Sequence, residues 1–312
     1  MIKVRVWDGR PISMPGIYSG IPIADYHRGD IAVEPSISST GLRKIFAKSP
    51  AHYWQTSPFN PDATEDEQTK AMILGGATHH LLFGQPRFAK HYVVHPIEIG
   101  GAKWHGARTV CKAWLNIQKQ KKLTVISPAD LEKIKGMAKS LMRDPAVREH
   151  GALNGLIEHS IFWKDRETGV WLKVRPDAFP ASGLDFIDLK KTSSVLWNDL
   201  QRAIREYGYY QQGALVGEAC EQVFQQKMQS FNLMFVEDTP PHCVEFVTLK
   251  DGDLMRGQQA NRVALRTFAK CLKDGVWPGP RGDRVEPKNL EMRLHDQTDI
   301  DWRISAERDR KP

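Results

Sequence analysis

The chain is poor in cysteine, with four in 312 residues at positions 111, 220, 243 and 271. No two are close enough in sequence to suggest a zinc or iron–sulfur site, and so low a count fits a reducing compartment rather than a disulfide-stapled fold. Long apolar runs are missing as well. No stretch approaches the ~18 apolar residues of a membrane span. Met1 to Trp7 alternates charged and apolar groups and lacks the apolar centre of a signal peptide. The expected location is the cytoplasm, with no membrane partner, and no internal repeat is evident. What is present is ordinary for a folded enzyme or binding protein: 41% hydrophobic and 26% charged residues, in a chain long enough to bury a substantial core. Lysine and arginine number 44 against 37 acids, a net charge of +7 that suits a polyanionic partner without requiring one.

One stretch organises the rest. Val174-Arg175-Pro176-Asp177 is followed, after the turn-prone Pro180 to Gly183, by the apolar run Leu184 to Leu189, which reads as a buried strand and carries Asp188-Leu189-Lys190. Residues two apart on a strand share a face, so Asp188 and Lys190 face one site, and the intervening turn lets Asp177 meet them. Two carboxylates converging on one spot repel unless a cation lies between them, and a hard divalent ion such as magnesium prefers such oxygens. A neighbouring lysine then holds or deprotonates a water. The chemistry this pattern points to is metal-assisted hydrolysis, most naturally of a phosphodiester.

The remaining chain alternates strand and helix. Residues 1 to 35 read as strand and turn, a short helix begins near Leu42 and ends at Ser49-Pro50, and a helix is expected over Thr69 to Phe83. Met72, Gly75, His79 and Leu82 recur there at helical spacing, which sets His79 on the inward stripe with His80 beside it. Gly75 and Gly76 weaken a helix and are expected where another backbone or a ligand comes close. A strand at Tyr92 to Val94 and a helix around Trp104 to Lys122 follow, the latter ending in lysines that suit the helix dipole and phosphate alike. Ser127-Pro128 starts another helix, with Leu131, Ile134, Ala138 and Leu141 as its apolar stripe. From Ile157 the period becomes two. The runs to Trp163 and from Val170 to Val174 flank a hairpin loop at Asp165 to Gly169, so that three successive strands bring Glu158, Asp177 and Asp188 to one edge of a sheet. After Thr192-Ser193-Ser194 a long helical segment carries Trp197, Leu200, Ile204 and Tyr207 on an apolar stripe and continues through Ala214. Strands at 231–236 and 244–249 and a helix over about 253–273 complete a single domain, 1–280, on which residues 1–60 pack. Residues 281–312 read as a polar, aperiodic tail. By position alone, His79 reads as a hydrogen-bonded core histidine more readily than as a ligand, Glu158 as a surface acid, and the tyrosines at 209 and 210 as core aromatics.

Pro176-Asp177 with Asp188-Leu189-Lys190 resembles the PD-(D/E)XK nuclease pattern. Gly16-Ile17-Tyr18, Asp25-Tyr26-His27, Ser36-Ile37-Ser38-Ser39 and Ser49-Pro50-Ala51-His52-Tyr53-Trp54 are similar to the opening of the exonuclease VIII (RecE-type) nuclease domain, and the likeness runs from about residue 14 to 280. The resemblance implies an α/β fold, a central mixed β-sheet flanked by helices as in restriction-endonuclease-like enzymes. It implies that the helix containing Gly75-Gly76-Ala77-Thr78-His79, followed by Leu81-Leu82 and Pro86-Arg87-Phe88, delivers His79 to a metal site. It likewise makes Glu158 an additional metal-site acid. Tyr209, Gln212 and Ala214 match a Tyr-x-x-Gln-x-Ala element, which marks Gln212 and Tyr209 as substrate-side groups, and Arg175 is counted with them. Gly84 and Val216 depart from the family pattern, which has an acid and a second tyrosine there, and the four-cysteine cluster of some relatives is missing.

The implied catalytic set is therefore Lys190, Asp177, Asp188, Glu158 and His79. The last four hold magnesium, with manganese able to substitute, and Lys190 orients or activates the attacking water. The resemblance further implies exonucleolytic degradation of double-stranded DNA ends from a 5′ terminus, leaving 3′ single strands for a single-strand annealing recombination protein. A ring-shaped homo-oligomer and a phage or prophage origin belong to the same expectation. The alternatives are an endonuclease of this superfamily with other polarity, and a DNA-binding protein that keeps the fold without catalysis.

Overall fold

The computed structural model describes residues 3–64, 69–82, 88–179 and 183–308. Pro180 to Ser182, at the turn before the Asp188 strand, and Phe83, Gly84, Pro86 and Arg87 lie outside the described residues. Two compact units divide the chain, Met1–Trp277 and Pro278–Pro312.

The first unit opens with β1 (Val4–Val6), β2 (Gly16–Ser19), a helical turn α1 (Ile23–Tyr26), β3 (Ser36–Ser38), α2 (Ser39–Ala47) and α3 (Pro50–Trp54). Its middle holds α4 (Lys70–Leu82), α5 (Phe88–His91), β4 (Tyr92–Val94), β5 (Glu98–Ile99), β6 (Ala102–Lys103), α6 (Thr109–Gln120), β7 (Thr124–Ile126), α7 (Pro128–Arg143) and α8 (Pro145–Arg148). Next come β8 (Leu156–Ile157), β9 (Ser160–Lys164), β10 (Trp171–Val174), β11 (Ala178–Phe179) and β12 (Asp185–Thr192). The unit is completed by α9 (Trp197–Glu206), α10 (Tyr209–Ala219), β13 (Ser230–Glu237), β14 (Val244–Thr248) and α11 (Asp251–Asp274).

Among the described residues the larger strands form two five-stranded sheets, ordered β1-β2-β9-β10-β3 and β14-β13-β12-β11-β8. Both are mixed: β12 runs parallel to β13, whereas β11 is antiparallel to β12 and to β8. The central strand β12 obeys the two-residue alternation of a strand buried on both faces. Phe186 turns to a core shared with Phe231, Leu233 and Phe235 and with residues of α2, α10 and α11. Ile187 and Leu189 turn the other way, onto Ile134, Met137 and Leu141 of α7 and Leu74 and Ala77 of α4. Burial of each such aliphatic or aromatic side chain stabilises by about 1.5–3 kcal/mol. Helix α7 starts where the sequence places it: Ser127 Oγ accepts from the Asp130 N–H at 3.0 Å and the Asp130 carboxylate accepts in return, a capping box.

Four expectations need correction. First, the hairpin β9–β10 does not continue the sheet of Asp188; the chain leaves one sheet for the other at Glu158, which adopts a left-handed φ of 50°, and again at Arg175 to Asp177. Alternation of apolar residues marks strands without saying which sheet each joins. Second, the buried residues of α4 are Leu74, Ala77 and Thr78, of which Leu74 and Ala77 pack on α7, while Met72 is 58% exposed. A Cβ on Gly75 would meet nothing within 4 Å, so no neighbouring backbone demands that glycine, and one on Gly76 would meet only the Tyr92 hydroxyl, at 3.1 Å, although both line the cavity. Third, the long helix after residue 192 is two helices. Gly208 breaks it with a left-handed φ of 64°, and the Arg43 side chain packs where a Cβ would be. Trp197 and Tyr207, placed on its inward stripe by spacing, are exposed, while Leu200 alone of the four is fully buried. Fourth, the second unit is not aperiodic throughout. It contains α12 (Leu294–Arg308), supported by the i,i+4 pair Asp299–Arg303 at 2.9 Å and by Arg293–Asp296 at 2.8 Å. Leu294, Ile300, Trp302 and Ile304 are all exposed, so no apolar stripe announces this helix in the sequence.

Candidate active site

The register of the second sheet builds the site. Ala178 pairs with Ile187 on β12 and with Ile157 on β8, so Asp177 falls opposite Asp188 on one side and Glu158 on the other. The Glu158 N–H donates to the Asp177 carbonyl at 3.0 Å. Backbone pairing thus sets the three acids in one row, Asp188 within β12 and the other two just beyond the ends of β11 and β8, where the left-handed Glu158 no longer follows strand alternation.

Asp188 is 2% exposed. Its Oδ2 accepts a hydrogen bond from Gln212 Nε2 of α10 at 2.9 Å and forms an ion pair with the Lys190 ammonium. Asp177 Oδ2 accepts from the Leu189 N–H at 2.6 Å, and His79 Nε2, at the C-terminal end of α4, lies 3.4 Å from the same oxygen. Burial, and then the neighbouring Asp188 charge, push the Asp177 carboxyl up to about 7, against the opposing pull of His79, Lys190 and the Leu189 N–H. Burial works against the Lys190 ammonium, but the Asp188 and Asp177 carboxylates outweigh it, and the lysine pKa is raised. Its Nζ sits 4.9 Å from the centroid of the Tyr209 ring.

Asp177, His79, Lys190 and Gln212 line a cavity of about 1030 Å³, with Asp188 buried behind them, and the wall also includes Tyr26, His27, Arg43, His80, Glu158 and Arg175. The charge of Glu158 acts on His80, Tyr92 and Arg175. Arg175 is committed to structure: Nε donates to Ser160 Oγ at 2.8 Å, Nη2 to the Ile21 carbonyl at 2.9 Å, and the guanidinium covers the Tyr26 ring at 4.5 Å. It ties the N-terminal segment to the cavity edge. Tyr209, 9% exposed, supports Lys190 from the core side. Gln212 points its amide at Asp188, and its Oε1 is buried with no hydrogen-bond partner.

Sequence reasoning missed Arg43. Its Nη1 donates to the Tyr207 carbonyl at 2.5 Å, and the Asp188 charge partly offsets the burial that lowers its pKa. A contact across 164 residues leaves no local pattern to find.

Among the described residues no three His, Cys, Asp or Glu side chains are already grouped as a metal cage. The donor chemistry nevertheless fits a hard divalent cation. Two carboxylates share a buried spot, one of them forced towards neutrality, and magnesium commonly takes one or two carboxylates and completes its shell with water and phosphate oxygens.

An α/β fold with a central mixed sheet, flanking helices and a Pro-Asp, Asp-x-Lys site is that of the PD-(D/E)XK, restriction-endonuclease-like proteins. Residues 38–285 match the PDDEXK-like domain of unknown function (DUF3799), and the chain belongs to that family. Among solved structures it is similar to a candidate exonuclease from Eubacterium rectale, with a TM-score of 0.56 and 15% identity over 84% of this chain and 92% of that one. Weaker similarity links it to a phage-related exonuclease from Haemophilus somnus 129PT, with a TM-score of 0.29 and 11% identity over 64% of this chain and 95% of that one. No curated protein matches the sequence. Among the described residues no helix is long and apolar enough to cross a membrane.

Proposed function

We propose that this protein is a metal-dependent deoxyribonuclease that degrades linear double-stranded DNA exonucleolytically. The observation that carries the reading is the pairing of Asp177 with the buried Asp188 beside Lys190, with Asp177 and Lys190 on the wall of a cavity large enough for a strand of nucleic acid. Asp177 and Asp188 would hold magnesium, or manganese in its place, with Glu158 and His79 on the same wall. Bound there, the ion would supply positive charge to the scissile phosphate and acidify a water. The chain's own groups do the positioning. Gln212 fixes the rotamer of Asp188, and the Leu189 N–H fixes that of Asp177. Lys190, held protonated between the two acids, offers N–H donors to an attacking water or to a phosphate oxygen as charge develops there.

The finer reading is supported by the sequence resemblance. It comprises 5′ to 3′ polarity, 3′ single-stranded products passed to an annealing protein for homologous recombination, a ring-shaped homo-oligomer, a cytoplasmic location and a phage or prophage origin. The test is digestion of linear duplex labelled separately at its 5′ and 3′ ends, alongside closed circular plasmid, with magnesium, manganese or EDTA. Early metal-dependent release of 5′ label, intact plasmid and no cleavage by Asp188→Ala are expected. Opening of the plasmid would identify an endonuclease, and DNA bound but uncut with either metal would identify a binding protein.

A further inference from the structure

The protein's charge is concentrated in one excursion of the chain. Between residues 90 and 122 there are seven lysines and arginines and a single acid, Glu98, a net of +6 out of +7 for the whole sequence. This segment leaves the cavity wall at His91 and Tyr92 and returns to it at Lys122 and Thr124; β4 and β7 pair in parallel at its base, with Tyr92 opposite Thr124. The helix dipole accounts for lysines at the end of α6, but not for the exposed Lys90, Lys103 and Lys112. Lys122 itself holds a left-handed φ of 56°, a conformation glycine adopts without strain.

The same excursion carries an aromatic group of its own. The His95 and Trp104 rings stack at 4.4 Å with 12° between their planes, and Trp114 meets Trp104 edge-on at 5.3 Å. Among the described residues none of the three joins a hydrophobic core, and all remain partly exposed. Arg108 Nη1 donates to the carbonyls of Ile99, Ala102 and Lys103, which fixes the β5–β6 hairpin and so presents Trp104. Exposed lysines around aromatic rings are the two elements of single-strand recognition: cations follow the phosphates, and rings stack on unpaired bases that a duplex keeps covered.

We propose that residues 90–122 form a guide for single-stranded DNA at the rim of the catalytic cavity, with Trp104 as its stacking platform and Lys103, Lys112, Lys119 and Lys122 as its phosphate contacts. The proposal rests on the nuclease reading and names the strand conformation that the site handles. A strand separated at the cavity runs along the excursion, so the guide favours unpaired over paired DNA.

The test is fluorescence anisotropy in EDTA, where nothing is cleaved, using a labelled oligothymidylate of about 20 nucleotides and a duplex of equal length. Trp104→Ala is expected to weaken oligothymidylate binding on the order of tenfold while duplex binding changes little, and Trp104→Phe to retain most of the affinity. Lys103→Ala/Lys112→Ala/Lys119→Ala is expected to reduce the slope of log K against log salt for the single strand by about two, from roughly 0.7 per contact. Lys122→Gly should be folded at least as stably as wild type, by thermal unfolding, yet bind more weakly. The proposal is overturned if Trp104→Ala binds both probes as wild type does, or loses both equally while remaining folded. Cleavage of linear duplex by the wild type, measured separately, decides the nuclease reading, so the two fail in different experiments.

Discussion

Gln212 and Asp188 are joined by a single hydrogen bond, Nε2 to Oδ2 at 2.9 Å, and the other end of the same amide is buried without a partner. An unsatisfied buried acceptor costs about 1–3 kcal/mol. Gln212→Ala removes that cost together with the bond, so stability should change little. Cleavage should fall about 10–100-fold, the usual loss when a group orienting a metal ligand is removed. Turnover of linear duplex beside a thermal unfolding curve checks both parts; an unchanged rate would remove Gln212 from any orienting role.

Asp188 and Lys190 compensate each other in the interior. Removing one partner of a buried pair costs about 3–5 kcal/mol because the other charge is left alone. The two single variants should not be equal. Lys190→Met leaves Asp188 and Asp177 facing each other, whereas Asp188→Asn also relieves Asp177, whose pKa the Asp188 charge helps to raise. Urea unfolding should therefore rank Lys190→Met as the less stable, and the double variant should recover much of the loss while remaining inactive.

Lys173 gives the stability a pH dependence. It is 3% exposed on β10, its Nζ donates to the Arg28 carbonyl at 3.0 Å, and burial, reinforced by Arg175, lowers its pKa from 10.5 to about 7. Between those values the unfolded chain binds more protons than the folded one, so this residue makes stability rise with pH from about 7 to 10.5 and adds no slope below 7. A shift of this size corresponds to about 5 kcal/mol at most. Lys173→Met should raise the urea midpoint at neutral pH and flatten the rise on the alkaline side. A midpoint that stays the same at pH 7 would show that the ammonium is already compensated.

Gly257 lets two helices touch. A Cβ there would lie 2.2 Å from the Tyr210 carbonyl oxygen on α10, a backbone atom that has no side-chain freedom with which to yield. Gly257→Ala should cost about 1–3 kcal/mol through overpacking. Because α10 also carries Gln212, activity should fall further than the lost stability explains; activity measured well below the unfolding temperature separates the two effects.

Much of the site was legible because its logic is local. Asp188 and Lys190 share a face by the alternation of any strand, and Asp177 is one turn away. The start of α7 was legible too, because a capping box is a four-residue pattern. What escaped the sequence depends on distant partners or on single torsions. No spacing reveals that Arg43 reaches the Tyr207 carbonyl, that Tyr209 supports Lys190 from the core side, or that Glu158 turns left-handed. Helix α12 escaped for a different reason: its support is charge pairing along its own length, and periodicity reports only an apolar face.

The passage of the chain from one sheet to the other at Glu158 and again at Arg175 to Asp177 divides its loops into two kinds. The Asp165–Gly169 turn closes a hairpin of the first sheet and contributes nothing to the cavity wall, so residues added at its tip leave the row of acids in register. Within β12 there is no such freedom, since one residue gained or lost between Asp185 and Asp188 turns every following side chain to the opposite face. Length variation among descendants of this sequence is therefore permitted at the hairpin tip and forbidden inside the central strand.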